Sequence, residues 1–425
     1  GCTDEVMRHK ERSCVRVWQV VDWRMPVTSP EQPSARPRLG RNIVALGVVS
    51  FFTDVSSEMI YPLLPVFLTA TLGASAGFVG VIEGTAESVS ALLKLASGWW
   101  SDRVKVRKPF VFTGYLIASL MRPLIAIAQS AGQVLAIRVG DRVGKGLRNA
   151  PRDALITDSV DPAIRGRAFG FERAWDNAGA MVGPLIAFAL LQWAGLTLRY
   201  VFWLAIIPGA IAVAVVIWGV NEVPKSETRS GAAVDLSQPM GARFWACMAV
   251  IFVFTLGNST DAFLLLRARQ LGVPLALMPI IWAMLNGVKT LTNTPGGALS
   301  DRVGRKPTLV IGWLLYAAVY LAFGRASQQW HAWALFAVYG LYFGFCEGAE
   351  RALVSDVVPG TRRGTAFGWY NLAIGLGALP ASLIFGLIWD RVSPAAAFSV
   401  GASLALAAAV GIAVVAPGRR AAIGG

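Results

Sequence analysis

The chain is poor in charge: only 15% of its 425 residues are Asp, Glu, Lys or Arg, against about 25% in a typical soluble protein. So few ionised groups cannot cover a water-facing surface of this size, and most of the chain must face lipid or other apolar segments. Histidine is nearly absent too, with only His9 and His331. The four cysteines (Cys2, Cys14, Cys247, Cys346) show neither paired nor metal-type spacing. No metal site and no cofactor is expected, and two scattered histidines offer no nucleophile–base set for an enzyme. A phosphate-binding Gly-rich loop ending in Lys-Ser or Lys-Thr is also missing, which excludes pumping driven by such a loop.

What is present is hydrophobic. Ala, Val, Ile, Leu, Met, Phe, Trp, Tyr and Cys make up 55% of the chain, and the mean hydropathy is +0.54. The net charge of +14 would suit a nucleic-acid binder, but its placement argues for a membrane instead. Basic residues cluster in short segments between apolar stretches, as the positive-inside rule requires. Clusters such as Arg103–Lys108, Arg165–Arg167 and Arg302–Lys306 fall on one side; the other holds only Arg199, Arg267, Arg269, Arg325 and Arg391. Both termini are therefore expected in the cytoplasm, with the protein in the cell (inner) membrane.

Residues 1–40 are polar and are expected to form a disordered cytoplasmic tail. Twelve apolar stretches follow, at roughly 43–71, 76–100, 109–129, 133–157, 165–193, 197–220, 242–270, 275–299, 307–326, 330–356, 363–389 and 394–417. Each approaches or exceeds the ~20 residues that span hydrocarbon as a helix, the only state that bonds every backbone polar group within one segment. The expected fold is an all-α membrane protein: twelve transmembrane helices in two pseudo-symmetric six-helix bundles, 41–220 and 242–417. A polar linker, 221–241, joins them, and 418–425 is a short tail.

The two halves repeat. Ala154–Gly170 (ALITDSVDPAIRGRAFG) aligns without a gap to Ala352–Gly368 (ALVSDVVPGTRRGTAFG), with nine of seventeen positions identical. SGWWSDRVKVRKP from Ser97 matches GGALSDRVGRKP from Gly296 at nearly the same offset. Parallel repeats of this kind place a solute pathway at their interface, near mid-membrane.

These duplicated segments resemble motif A of the major facilitator superfamily: Gly98, Asp102 and Arg103 followed by Arg107 and Lys108, and Gly297, Asp301, Arg302, Gly304, Arg305 and Lys306. The first copy has one extra residue and Lys105 where the pattern has Gly. Arg142, Lys145 and Gly146 resemble the core of motif B, with Lys for Gln. Gly170, Gly179, Gly183 and Pro184 fall at the spacing of the antiporter motif C, whose closing Gly-Gly is Ala187–Phe188 here. The resemblance covers residues 41–417. It implies a major facilitator fold and a cytoplasmic gate in which Asp102 latches the halves, extended by Asp158 with Arg165 and by Asp356 with Arg363. On that reading Asp102→Asn should still insert but lose most turnover. A plain loop with topogenic charge is the alternative.

The most informative stretch is Arg138–Asp153. At ~100° per residue, Arg138, Asp141, Arg142, Lys145, Arg148 and Arg152 share an arc about 120° wide, opposite Val139, Val143, Leu147, Ala150 and Ala154. Ionised groups at mid-bilayer cost ~2.5–3.5 kcal/mol each even on a lenient scale, so this arc must face water or partners. Arg142, Lys145 and Arg148 are the cavity candidates, with Asp176, Asn258, Asp261 and Asn286 on other stretches. A proton-coupled carrier also needs a carboxyl that alternately gains and loses water or a cation. Glu58, Asp54 and Glu87 are the candidates, and a static ion-pair network is the competing reading.

The expected function is secondary active transport of a small molecule by alternating access, as a monomer in the bilayer with protons as coupling partner and no nucleic acid. Efflux antiport of drugs or metabolites is the leading form. Uptake or exchange of an organic anion, suggested by the cationic arc, is the alternative.

Overall fold

A computed structural model describes residues 40–101, 106–161, 164–223, 240–359 and 362–416. The tail 1–40 (except Gly40), most of the linker 221–241 and the tail 418–425 lie outside the described residues.

Every long apolar stretch is helical. We number them α1 (Arg41–Glu58, continued by Leu64–Val66 and Phe67–Thr71), α2 (Ala76–Ser101), α3 (Lys108–Leu124), α4 (Ala131–Asp158), α5 (Arg165–Gln192) and α6 (Leu198–Leu204 with Ile206–Gly219). The second half holds α7 (Ala242–Gly257 with Ala262–Gln270), α8 (Met278–Val303), α9 (Arg305–Arg325), α10 (Gln329–Asp356), α11 (Arg363–Arg391) and α12 (Pro394–Val415). Boundaries are set by local chemistry. Ser130 caps α4 by accepting the Gln133 N–H while the Gln133 side chain returns to the Ser130 N–H. Gly304, at φ +112°, lets α8 turn into α9 through a single residue, a conformation that favours glycine.

Among the described residues, ten helices, α2, α3 and α5 to α12, are long and apolar enough to cross a membrane. The other two are set apart by chemistry and shape. α4 runs for 28 residues but carries Arg138, Asp141, Arg142, Lys145, Arg148, Arg152, Asp153 and Asp158, and α1 is interrupted after Glu58 by a turn containing Pro62. Counting both, twelve helices lie in a succession of six and six.

Within the first half α1 packs on α5 and α6, and α4 on α2 and α3; within the second, α8 packs on α10 and α9 on α10 and α12. Two pairs make most of the contact between the halves, α2 on α11 and α5 on α8, and the second segment of α7 also touches α1 and α2. The second half is filled by aromatics, with Phe254 stacked on Trp313 and Tyr316 on Tyr320 at ring-centroid distances of 4.5 and 4.1 Å.

One stretch departs from its expected form. Residues 242–270 read as a continuous helix, yet α7 is broken at Asn258–Asp261. The Gly257 carbonyl, freed from the helix ladder, accepts the Tyr316 hydroxyl at 3.0 Å, and the Thr260 N–H donates to Ser382 Oγ at 3.3 Å. Irregular backbone at this depth is tolerated only where protein or a cavity supplies partners.

Candidate functional site

The seam between the halves encloses a cavity of about 520 Å³, within the range of small-molecule sites. The first half lines it with Asp54 and Glu58 of α1, Glu83 and Glu87 of α2, and Arg138, Arg142, Lys145 and Arg148 of α4. From the second half come Asn258 and Asp261 at the α7 break, Trp282 and Lys289 of α8, and Tyr342 and Phe343 of α10. One wall is thus dominated by ionisable groups, and the other sets Asp261 and Lys289 among aromatic and polar side chains.

The cations fall into two classes. Some are held in tight pairs: Arg138 grips Glu83 through two bonds, Nε to Oε1 at 3.0 Å and Nη2 to Oε2 at 2.6 Å. Arg122 of α3 donates to Asp141 at 2.9 Å and to the Thr53 carbonyl at 2.7 Å, while Arg152 meets Glu172 at 2.9 Å. These contacts are charge-assisted, and the bidentate one at Arg138 fixes geometry as well as energy. In the other class, Arg142, Lys145, Arg148 and Lys289 have no carboxylate oxygen within 4.0 Å among the described residues, and Nε of both arginines is buried without a hydrogen-bond partner. Arg148 lies over the Tyr115 ring and Lys289 over Phe343, at 4.3 and 3.9 Å from the centroids.

Cavity carboxylates of the second half, and Glu58, take neutral donors instead. Glu58 accepts the Trp282 indole N–H at 2.6 Å, Asp261 the Tyr339 hydroxyl at 2.8 Å, and Glu350 the Trp313 indole at 3.2 Å and the Tyr370 hydroxyl at 3.0 Å.

Small residues set the spacing around this site. Gly179 and Gly183 lay α5 directly against α1 where Asp54 and Glu58 project: an added Cβ would press on Phe51 and Asp54 in one case and on Val55 and Glu58 in the other. Pro184 follows inside the helix. Gly170, by contrast, faces open space.

A model of the Major Facilitator Superfamily matches residues 46–289 and again 268–423. The chain belongs to the major facilitator superfamily. It is 34% identical over 376 residues to an uncharacterised MFS-type transporter of Methanocaldococcus jannaschii, covering 87% of this chain and 93% of that one. It is 25% identical over 342 residues to the multidrug resistance protein MdtH of Cronobacter sakazakii, covering 78% and 81%. Among solved structures, the nucleoside transporter NupG superposes with a TM-score of 0.71 at 14% identity, covering 88% of this chain and 98% of that one, a likeness of fold. The protein is accordingly an integral, multi-pass membrane transporter of this superfamily.

The superfamily's duplicated motif is visible as a duplicated contact. Arg107 bonds to Asp158 at the end of α4, and Arg305, at the matching place in the second half, bonds to Asp301 and lies 3.4 Å from Asp356 at the end of α10. In the first copy the Arg107 and Lys108 N–H groups also donate to Glu222. Asp102 and Arg103 lie outside the described residues, as does the side chain of Arg363. Gly98 and Gly297 sit in the last turns of α2 and α8, Arg302 lies exposed beside Asp301, and Arg165 begins α5 with its Nε buried and unbonded.

Asp176 and Asn286 face a second cavity of about 380 Å³, nearer the ends of α5, α8 and α10 that meet the linker side, with Arg173, Glu347 and Arg351 at its rim. There Arg173 pairs with Asp176 at 3.2 Å and Asn286 Nδ2 reaches the Ala180 carbonyl at 3.5 Å. Lys289 borders both cavities. Sequence reasoning does not single out Arg122, Trp282 or Tyr339. A lone arginine deep in an apolar stretch is a usable signal for Arg122; nothing in the pattern marks the two aromatics as partners of carboxylates.

Proposed function

We propose that this protein is a proton-coupled secondary transporter that carries a small organic solute by exposing the cavity to the two sides of the bilayer in turn. The observation that carries this reading is one chamber holding Asp54, Glu58 and Glu87 together with unpaired Arg142, Lys145 and Lys289. Groups that can take up a proton and groups that can hold a solute share the same space. The crossing contacts suit a state closed on the side away from the linker: Asp390 of α11 accepts the N–H groups of Ala76 and Gly77 at the start of α2, and Trp282 meets Glu58. With termini and linker in the cytoplasm, that state faces inward.

Transport in proteoliposomes with an imposed pH gradient tests the reading. Solute movement that is equal with and without the gradient would remove the proton from the mechanism. Efflux antiport is a second reading, favoured by the MdtH relative and by the α5 glycine spacing. The direction in which a solute accumulates against the gradient separates it from uptake.

A further inference from the structure

We infer that the solute is an organic anion held by Arg142, Lys145 and Arg148, and that a proton travels with it in the same direction. This rests on the carrier reading above and names its substrate class and the sign of its coupling.

The arginines along α4 are not alike. Arg138 and Arg152 are bonded to carboxylates, whereas Arg148, only 4% exposed, leaves Nε and Nη1 with no hydrogen-bond partner, and Arg142 leaves Nε so. Both arginines line the chamber beside Lys145, and guanidinium N–H groups that lack acceptors match the oxygens of a carboxylate or phosphate ester once a solute draws those side chains toward it. Lys289 supplies positive charge from the opposite half, so an anion seated on α4 is also drawn to α8.

Charge balance gives the coupling. Glu58 faces Lys145, Arg142 and Lys289, along with the Trp282 donor; Asp54 faces Lys145, Glu58 and Asp176 of α5; Glu87 faces Arg142, Lys145, Arg138 and Lys94. Within the chamber these carboxylates and cations offset one another across short gaps. A bound anion takes up the positive charge and leaves a buried carboxylate uncompensated, which a proton then neutralises. By reciprocity, the proton tightens the anion. A cationic solute would do the reverse and expel the proton.

The test uses the full chain in detergent, with benzoate, succinate, citrate and glucose 6-phosphate as anionic probes and tetraphenylphosphonium and rhodamine 6G as cationic ones. Thermal shift and calorimetric titration are run between pH 5.5 and 8. The expected result is that at least one anion binds, that its Kd tightens up to about tenfold per unit fall in pH, and that neither cation binds. Arg142→Gln and Lys145→Gln should each weaken that anion at least about tenfold, one order of affinity, while Arg142→Lys, a folding control that keeps the charge, retains part of it. Neutralising one of Glu58, Asp54 or Glu87 should flatten the pH dependence. Binding of the cations alone, binding of no anion, or anion affinity that rises with pH would overturn the inference. Gradient-driven movement of a cation would do so too while leaving the carrier intact. Anion binding without any movement in proteoliposomes would sink the carrier reading and spare the anion site.

Discussion

The indole of Trp282 donates its N–H to the Glu58 carboxylate at 2.6 Å, joining α8 of one half to α1 of the other. The Tyr61 ring lies 4.9 Å from the same indole, so the contact combines a bond with a tilted aromatic pair. A hydrogen bond to a charged group contributes about 1.5–3 kcal/mol. Trp282→Phe, which keeps the ring, should lower stability in detergent by about that amount. In a double-mutant cycle with Glu58→Ala the coupling should be about 1 kcal/mol or more; additive losses would mean the bond is not made in the populated state.

Asp390 ties the other end of the seam. Its carboxylate accepts from Ala76 N at 3.1 Å and Gly77 N at 2.7 Å, where an anion satisfies unpaired donors and opposes the helix dipole. Asp390→Ala should loosen that end by about 1–2 kcal/mol, a five- to thirtyfold shift in population. A cysteine at Ser57, in the cavity wall, would report it through faster labelling by a membrane-impermeant maleimide added from that side. Unchanged labelling would mean Asp390 does not hold the gate.

Two glycines should respond differently to one added methyl. In Gly296→Ala the new Cβ would meet the Gly344 backbone inside the second half, whereas in Gly80→Ala it would meet the Ser382 carbonyl across the seam. The first contact is needed in every state of the transport cycle and the second only when that side is shut. Gly296→Ala should lower the melting temperature; Gly80→Ala should keep the fold but raise labelling at the Ser57 position and slow transport. Equal thermal losses would show that the α2–α11 seam does not open.

The twin motif contacts should differ in strength because they differ in burial. The Arg107 and Asp158 side chains are 4% and 1% exposed, while Asp301 is 66% exposed. Arg107→Ala removes a cation bonded to a buried carboxylate and should cost about 1.5–3 kcal/mol, the contribution of a hydrogen bond to a charged group. Arg305→Ala should cost at most about 1 kcal/mol. Melting temperatures of the two variants, side by side, check the ranking.

The twelve helices are legible in the sequence because hydrocarbon leaves the backbone no alternative, and their ends fall close to the stretches read from hydropathy. The cationic arc of α4 is legible for a related reason: so many ionised groups on one face of a spanning helix need a polar surround. The α7 break is not. Asn258–Asp261 lies within an otherwise apolar run, and the groups that stabilise the opened backbone, Tyr316 and Ser382, come from α9 and α11, far along the chain. The pairing of Arg107 with Asp158 is hidden similarly, since the two residues meet only where the start of α3 packs beside the end of α4.

The interruption of α7 has a mechanical consequence. It leaves two stiff rods joined by a four-residue joint, with the shorter rod, Ala262–Gln270, beyond it. Bending there strains few backbone bonds, because the ladder is already open. Any swing must pull on Tyr316 and Ser382, so movement of the outer rod is geared to α9 and α11, and the second half can flex internally where the ion-paired first half pivots as a block.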